Sequence, residues 1–90
     1  MSTETAILPV IKDIVAHLKR RPELAANLAD DADLVADVGL DSLEMLQFML
    51  ELEEKLAIRI DFDRLDYEDM RSASRLAHCL AGMPAAAPAR

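Results

Sequence analysis

Few side chains in this 90-residue chain are equipped for chemistry, and they are thinly spread. The hydroxyl of Ser42 follows the carboxylate of Asp41 within Asp37-Val38-Gly39-Leu40-Asp41-Ser42-Leu43-Glu44. A serine in that setting is either a helix cap or a point of covalent attachment, since Ser, Asp and Asn commonly start helices. It has no support as a nucleophile in its own right. Activation needs a neighbouring base, the histidines His17 and His78 lie in other segments, and no Gly-x-Ser-x-Gly elbow is present. Any group on Ser42 must therefore be placed there by another enzyme. A phosphodiester would be well accommodated, because a helix N-terminus offers unpaired N–H groups and the positive end of the dipole. Asp41 would repel such a group but is able to hold a metal ion brought by a partner. The acids Asp30, Asp31, Asp33 and Asp37 lack the Asp-x-Asp-x-Asp-Gly spacing and the twelfth-position Glu of a calcium loop. His78-Cys79 reads as a helix pair with its thiol at the edge of the core.

Composition bounds what can position these groups. Ninety residues make one small domain, and a chain of that size buries only roughly 60–65% of its extended surface. A single cysteine rules out an internal disulfide. The hydrophobic share is 52% but the aromatic share only 3%, so Leu, Ile, Val, Met and Ala must do the packing. A formal charge of −7 argues against nucleic acid and against anionic membranes. The acid is also concentrated: 14 of the 17 acidic residues fall between Asp30 and Asp69, with only Lys55, Arg59 and Arg64 as bases. Such a field attracts basic partners and is weakened by salt. No apolar run approaches the ~20 residues needed to cross a bilayer, and no basic flank precedes an apolar N-terminal run. The expectation is a cytoplasmic monomer, its lone thiol suited to a reducing compartment.

The apolar periodicity of Ile7, Val10, Ile11, Ile14, Val15 and Leu18 predicts a first helix, started by Thr3 or Thr5 and ended by Arg20, Arg21 and Pro22. Residues 22–41 form a long connection in which Leu24 and Leu28 suggest a helical turn, and Leu34 and Val38 pin the loop to the core. A second long helix is expected from Ser42 to Leu56, capped by Asp41 or Ser42, with Gly39 permitting the sharp entry. Counted from Ser42, no Glu stands in position for a capping box. Ala57-Ile58-Arg59-Ile60 reads as extended loop with Ile58 and Ile60 turned inward. A short helix is expected from Asp63 to Asp69, burying Leu65 and Tyr67. A last helix, capped by Ser72 or Ser74, faces the core with Leu76, Ala77 and Leu80 and ends at Gly82. The fold class is all-α: a small four-helix bundle of three longer helices and one short one, spanning residues 1–82, with 83–90 as a disordered Ala/Pro tail.

At ~100° per residue, the Ser42–Leu56 helix divides into distinct faces. Met45, Phe48, Met49, Leu52 and Leu56 form a core stripe, while Glu44, Glu51 and Lys55 lie on the opposite, solvated side. Leu43, Leu46 and Leu50 make a second apolar strip flanked by Gln47, Glu53 and Glu54. One buried stripe suffices for a helix in a small bundle. A second, rimmed by carboxylates, suggests a docking surface, or else a helix sandwiched between neighbours.

The run from Asp37 to Glu44, continued by Leu50-Glu51-Leu52-Glu53-Glu54-Lys55-Leu56, resembles the acyl carrier protein family over about residues 5–82. The resemblance implies that Ser42 receives 4′-phosphopantetheine from coenzyme A through a phosphopantetheinyl transferase, and that cargo is held as a thioester on the arm. It implies that Asp41 assists the transferase's magnesium. It also implies that Leu43, Leu46 and Leu50, with Glu44, Gln47, Glu53 and Glu54 around them, meet the basic docking patches of loading and processing enzymes. Gln47 stands where fatty-acid carriers commonly have an acid, Lys55 and Arg59 interrupt the acidic run, and Asp61 follows Ile60 where many members carry proline. These departures favour a dedicated carrier of polyketide or other secondary metabolism. Leu40-Asp41 differs from the Gly-Gly-His/Asp-Ser pattern usual in peptidyl carriers, so acyl cargo is preferred over a free-standing aminoacyl or peptidyl carrier. A protein of another class, a helical adaptor binding partners through Leu43, Leu46 and Leu50 with no cargo, fits the same strip. In none of these readings is the chain itself an enzyme.

Overall fold

The computed structural model describes residues 3–85. The elements run α1 (Thr3–Leu18), α2 (Leu24–Asn27), α3 (Ser42–Leu56), a 3₁₀ turn (Tyr67–Arg71) and α4 (Ala73–Ala81). The all-α bundle expected from the periodicity is what forms, with α1, α3 and α4 as the longer helices and α2 and the 3₁₀ turn as short elements between them. The helical turn anticipated around Leu24 is α2. No helix of the described residues is long and apolar enough to cross a membrane.

The spacing of Ile7, Ile11, Ile14 and Val15 places all four on one side of α1, where all are buried. α1 packs against α2, α3 and α4, so it is the element the others share. Phe48 and Leu52 from α3 and Leu76 and Leu80 from α4 complete a core with essentially no solvent access. Each such side chain contributes roughly 1.5–3 kcal/mol. No polar or charged side chain is buried among the described residues, so the core carries no desolvation penalty that a partner group must offset.

The long connection is held by stitches rather than by regular structure. Leu34, fully buried, is its anchor, and Leu40 is buried as well. The Leu34 amide donates to Met70 O at 3.0 Å, Ala73 N to Ala32 O at 2.9 Å, and both N and Oγ of Ser74 to Asp30 O at 2.7 Å. Asp33 ties the loop to itself and to the 3₁₀ turn. Its Oδ1 accepts from the amides of Val35 and Ala36, and its Oδ2 from Arg71 Nε at 3.3 Å. The Ala36 N–H above all, with Val35 N–H and the Arg71 guanidinium, holds this carboxyl below its ordinary value of 3.8 against a smaller opposing effect of burial. A depressed folded value means that the unfolded chain takes up the proton more readily. Asp33 therefore contributes stability above 3.8, and that contribution is lost as pH falls through its lower folded value. Thermal melts of Asp33→Asn and the parent are expected to diverge at neutral pH and converge in acid; a constant gap would contradict a stabilising role for the ionised Asp33 carboxylate.

Several expectations need correction. The short helix does not run from Asp63 to Asp69. It starts after Asp66, because the amide of Asp66 donates to Asp69 Oδ2 in a capping box, while Asp61 Oδ1 takes the Asp63 amide in a turn of its own. Met70, not Tyr67, is buried by it, and Tyr67 is exposed. Leu65 is only half-buried. Of the two serines offered as caps, Ser72 starts α4 by accepting from the Arg75 amide, and Ser74 serves the Asp30 loop. The tail expected from residue 83 is within the described residues only as far as Ala85. There Met83 is buried in the core, Arg59 N donates to Pro84 O at 3.0 Å, and Ile58 forms a bridge with Ala85. Residues 86–90 lie outside the described residues. Ile60 is buried and Ile58 half-buried, both turned inward as expected.

Candidate functional site

Asp41, in extended conformation, is the N-cap of α3, and Ser42 is its first helical residue. The choice between Asp41 and Ser42 as cap thus falls to Asp41. Its Oδ1 accepts from the Glu44 amide at 2.8 Å, and Glu44 Oε1 accepts in return from the Asp41 amide at 3.1 Å. This is a complete capping box. Counting from Ser42 hides it; the Asp-x-x-Glu spacing of residues 41–44 is the signal that finds it. Gly39 enters the helix with φ of +78°, the left-handed region that favours glycine, although a Cβ there would meet nothing within 4 Å. Backbone conformation, not space, requires it.

With capping assigned to Asp41, the Ser42 hydroxyl has no structural task. Ser42 is exposed and its hydroxyl makes no hydrogen bond among the described residues. The first two amides of α3, Ser42 N and Leu43 N, likewise have no partner among the described residues, whereas Glu44 N and Met45 N are taken by Asp41. An exposed hydroxyl beside two open amides at the positive end of a 15-residue helix suits a phosphodiester. Beside it opens a cleft of about 410 Å³ lined by Val35, Leu40, Asp41, Ser42, Met45, Tyr67 and Met70. Apart from Asp41, Ser42 and the Tyr67 hydroxyl, its walls are apolar. The cleft was not legible beforehand, because Tyr67 was expected inside and Met70 had no assigned role.

The two faces of α3 separate as the helical spacing implies. Phe48, Met49 and Leu52 are buried, and Met45 and Leu56 are half-buried against them. Leu43, Leu46 and Leu50 are 66%, 57% and 57% exposed. The sandwiched-helix alternative fails among the described residues, none of which forms an element that covers them. Around this strip Gln47 and Glu54 are exposed, but two other carboxylates are in use within the chain. Glu53 is half-buried and its Oε2 accepts from the Ile60 amide at 2.9 Å. Glu44 is also half-buried, not on a solvated side as the helical projection had it: Lys19, just past the end of α1, reaches its carboxylate at 3.0 Å. Projection of one helix cannot show what the end of another helix covers.

Elsewhere, chemistry-bearing groups do not assemble. Among the described residues no three of His, Cys, Asp or Glu come together as a metal-binding group. His78 pairs with Glu4 at the surface. Burial, chiefly, and the nearby Asp69 push the Cys79 thiol up, which keeps it protonated and unreactive at neutral pH.

The site is thus an exposed serine, without a partner among the described residues, at the head of a capped acidic helix in a small bundle. Residues 9–80 match the family model described as the phosphopantetheine attachment site, and the chain belongs to that family. No curated protein and no solved structure gives a significant match. Members of this family bear 4′-phosphopantetheine covalently, and such carrier domains are not themselves catalytic.

Proposed function

We propose that Ser42 is the residue that bears 4′-phosphopantetheine and that the chain presents acyl cargo, held as a thioester on the arm, to enzymes of polyketide or other secondary metabolism. The observation that carries this reading is the exposed Ser42, whose hydroxyl, like the two amides at the start of α3, has no partner among the described residues. A phosphopantetheinyl transferase would join the Ser42 oxygen to the pantetheine-side phosphorus of coenzyme A as the pyrophosphate bond breaks and adenosine bisphosphate leaves. The hydroxyl proton passes to the transferase. Asp41 has one carboxylate oxygen committed to capping, which leaves the other to face the transferase's metal. The apolar cleft beside Ser42 is suited to the arm or its cargo. Leu43, Leu46 and Leu50 form the centre of the partner surface, with Gln47 and Glu54 on its open rim.

Purified protein incubated with coenzyme A, magnesium and a broad-specificity transferase is expected to gain the mass of one phosphopantetheine, and Ser42→Ala none. No gain in the parent, or an equal gain in the variant, would remove the assignment. An adaptor using the leucine strip without cargo would bind its partners unmodified and tolerate Ser42→Ala, so the same variant separates the two.

A further inference from the structure

Lys19 sits one residue past the end of α1, far in sequence from the attachment site, yet its ammonium touches both shoulders of Ser42. Nζ donates to Gly39 O at 3.2 Å, and to Glu44 Oε1 and Oε2 at 3.0 and 3.3 Å. The Lys19 and Glu44 side chains are only 23% and 22% exposed, so solvent screens this pair less than an open surface bridge. The same Glu44 carboxylate takes the Asp41 amide, and Asp41 returns the bond to Glu44 N. Residues 39 to 44 are thereby closed into one loop around a single cation on the residue that follows α1, the helix against which α2, α3 and α4 pack.

We propose that Lys19 is a positioning residue for modification of Ser42. By holding Gly39 and Glu44 at fixed separation, it keeps the Ser42 hydroxyl and the free oxygen of Asp41 pointing outward together, in register for the transferase. The inference rests on the carrier reading above. It also removes Glu44 from the docking rim: a carboxylate already bound by an ammonium and an amide has little left to offer a basic partner.

The two roles open to Glu44 make opposite forecasts. If Glu44 docks partners by charge, Lys19→Met removes a positive charge from an acidic surface and should speed encounter with a basic enzyme. Glu44→Gln should then raise KM. If Lys19 and Glu44 form a clamp, both variants lower kcat for phosphopantetheine transfer, because misplacing a reacting group by about 1 Å costs on the order of tenfold or more in rate. KM changes little, Lys19→Arg retains most of the rate, and the double variant is no slower than the worse single one.

Initial rates of transfer from coenzyme A to the full chain are measured for these variants, with thermal melts alongside. A kcat about tenfold lower in Lys19→Met, with Lys19→Arg near the parent, supports the clamp. Transfer to Lys19→Met at or above the parental rate overturns it. Should Lys19→Met not fold, the isosteric Glu44→Gln decides alone: a fall in kcat supports the clamp, and an unchanged kcat or a rise in KM only overturns it. A parent that accepts no arm at all refutes the carrier reading itself, an outcome distinct from equal rates among variants that all accept it.

Discussion

Phe48→Ala is expected to destabilise the protein by about 3–5 kcal/mol. Phe48 is the largest side chain with no solvent access, projecting from α3 into the core that α1 supports. It is also the only one of the three aromatic residues used this way, since Phe62 and Tyr67 are exposed. The remaining core is aliphatic, so no neighbouring ring can fill the void by a rotamer change. A domain of this size has a total stability near the lower end of roughly 5–15 kcal/mol. The variant should thus unfold at far lower urea, or be largely unfolded without it, when followed by far-ultraviolet circular dichroism. A loss below about 1 kcal/mol would show that the core collapses around the deletion.

Leu46→Asp is expected to act in the opposite way, sparing the fold and impairing the protein's work. Leu46 is 57% exposed between Leu43 and Leu50, so little buried area is lost. Its substitution places a charge at the centre of the exposed apolar strip proposed as the docking surface, where a bound partner would have to desolvate it. We expect the urea midpoint to move little. The kcat/KM of the transferase, and of any loading enzyme that docks on α3, should fall about tenfold or more, and the fall should persist at high salt. Unchanged kinetics would mean that partners approach another face.

The contrast between these two apolar faces was legible before the fold, because both lie within one helix and depend only on its 3.6-residue period. The bounds of α3 were legible for the same reason: Gly39, Asp41 and the apolar spacing are all local. What stayed hidden depends on contacts between segments distant in sequence. Lys19 and Glu44 are 25 residues apart, so nothing near either reveals that one bridges the other. Met83 looked like part of a Pro/Ala tail, yet it is buried and its sulfur lies 3.3 Å from the Asp61 amide. A helix from Asp63 to Asp69 would bury Tyr67, but the Asp66–Asp69 capping box starts the short helix later and the ring is exposed. Charge counting misled in a similar way. The acidic segment is real, but Glu44, Glu53 and Asp33 spend carboxylate oxygens on backbone amides, so fewer face solvent unengaged than the composition implied.

Three observations converge on one atom. Capping is assigned to Asp41, the Lys19 cluster frames the segment from Gly39 to Glu44, and Ser42 is left exposed with no hydrogen bond to its hydroxyl among the described residues. Fragmentation mass spectrometry of the protein isolated from its own host should therefore locate one phosphopantetheine on the peptide containing Ser42, with cargo on its thiol. An arm on Ser72 or Ser74 instead, or a population bearing none, would contradict that assignment.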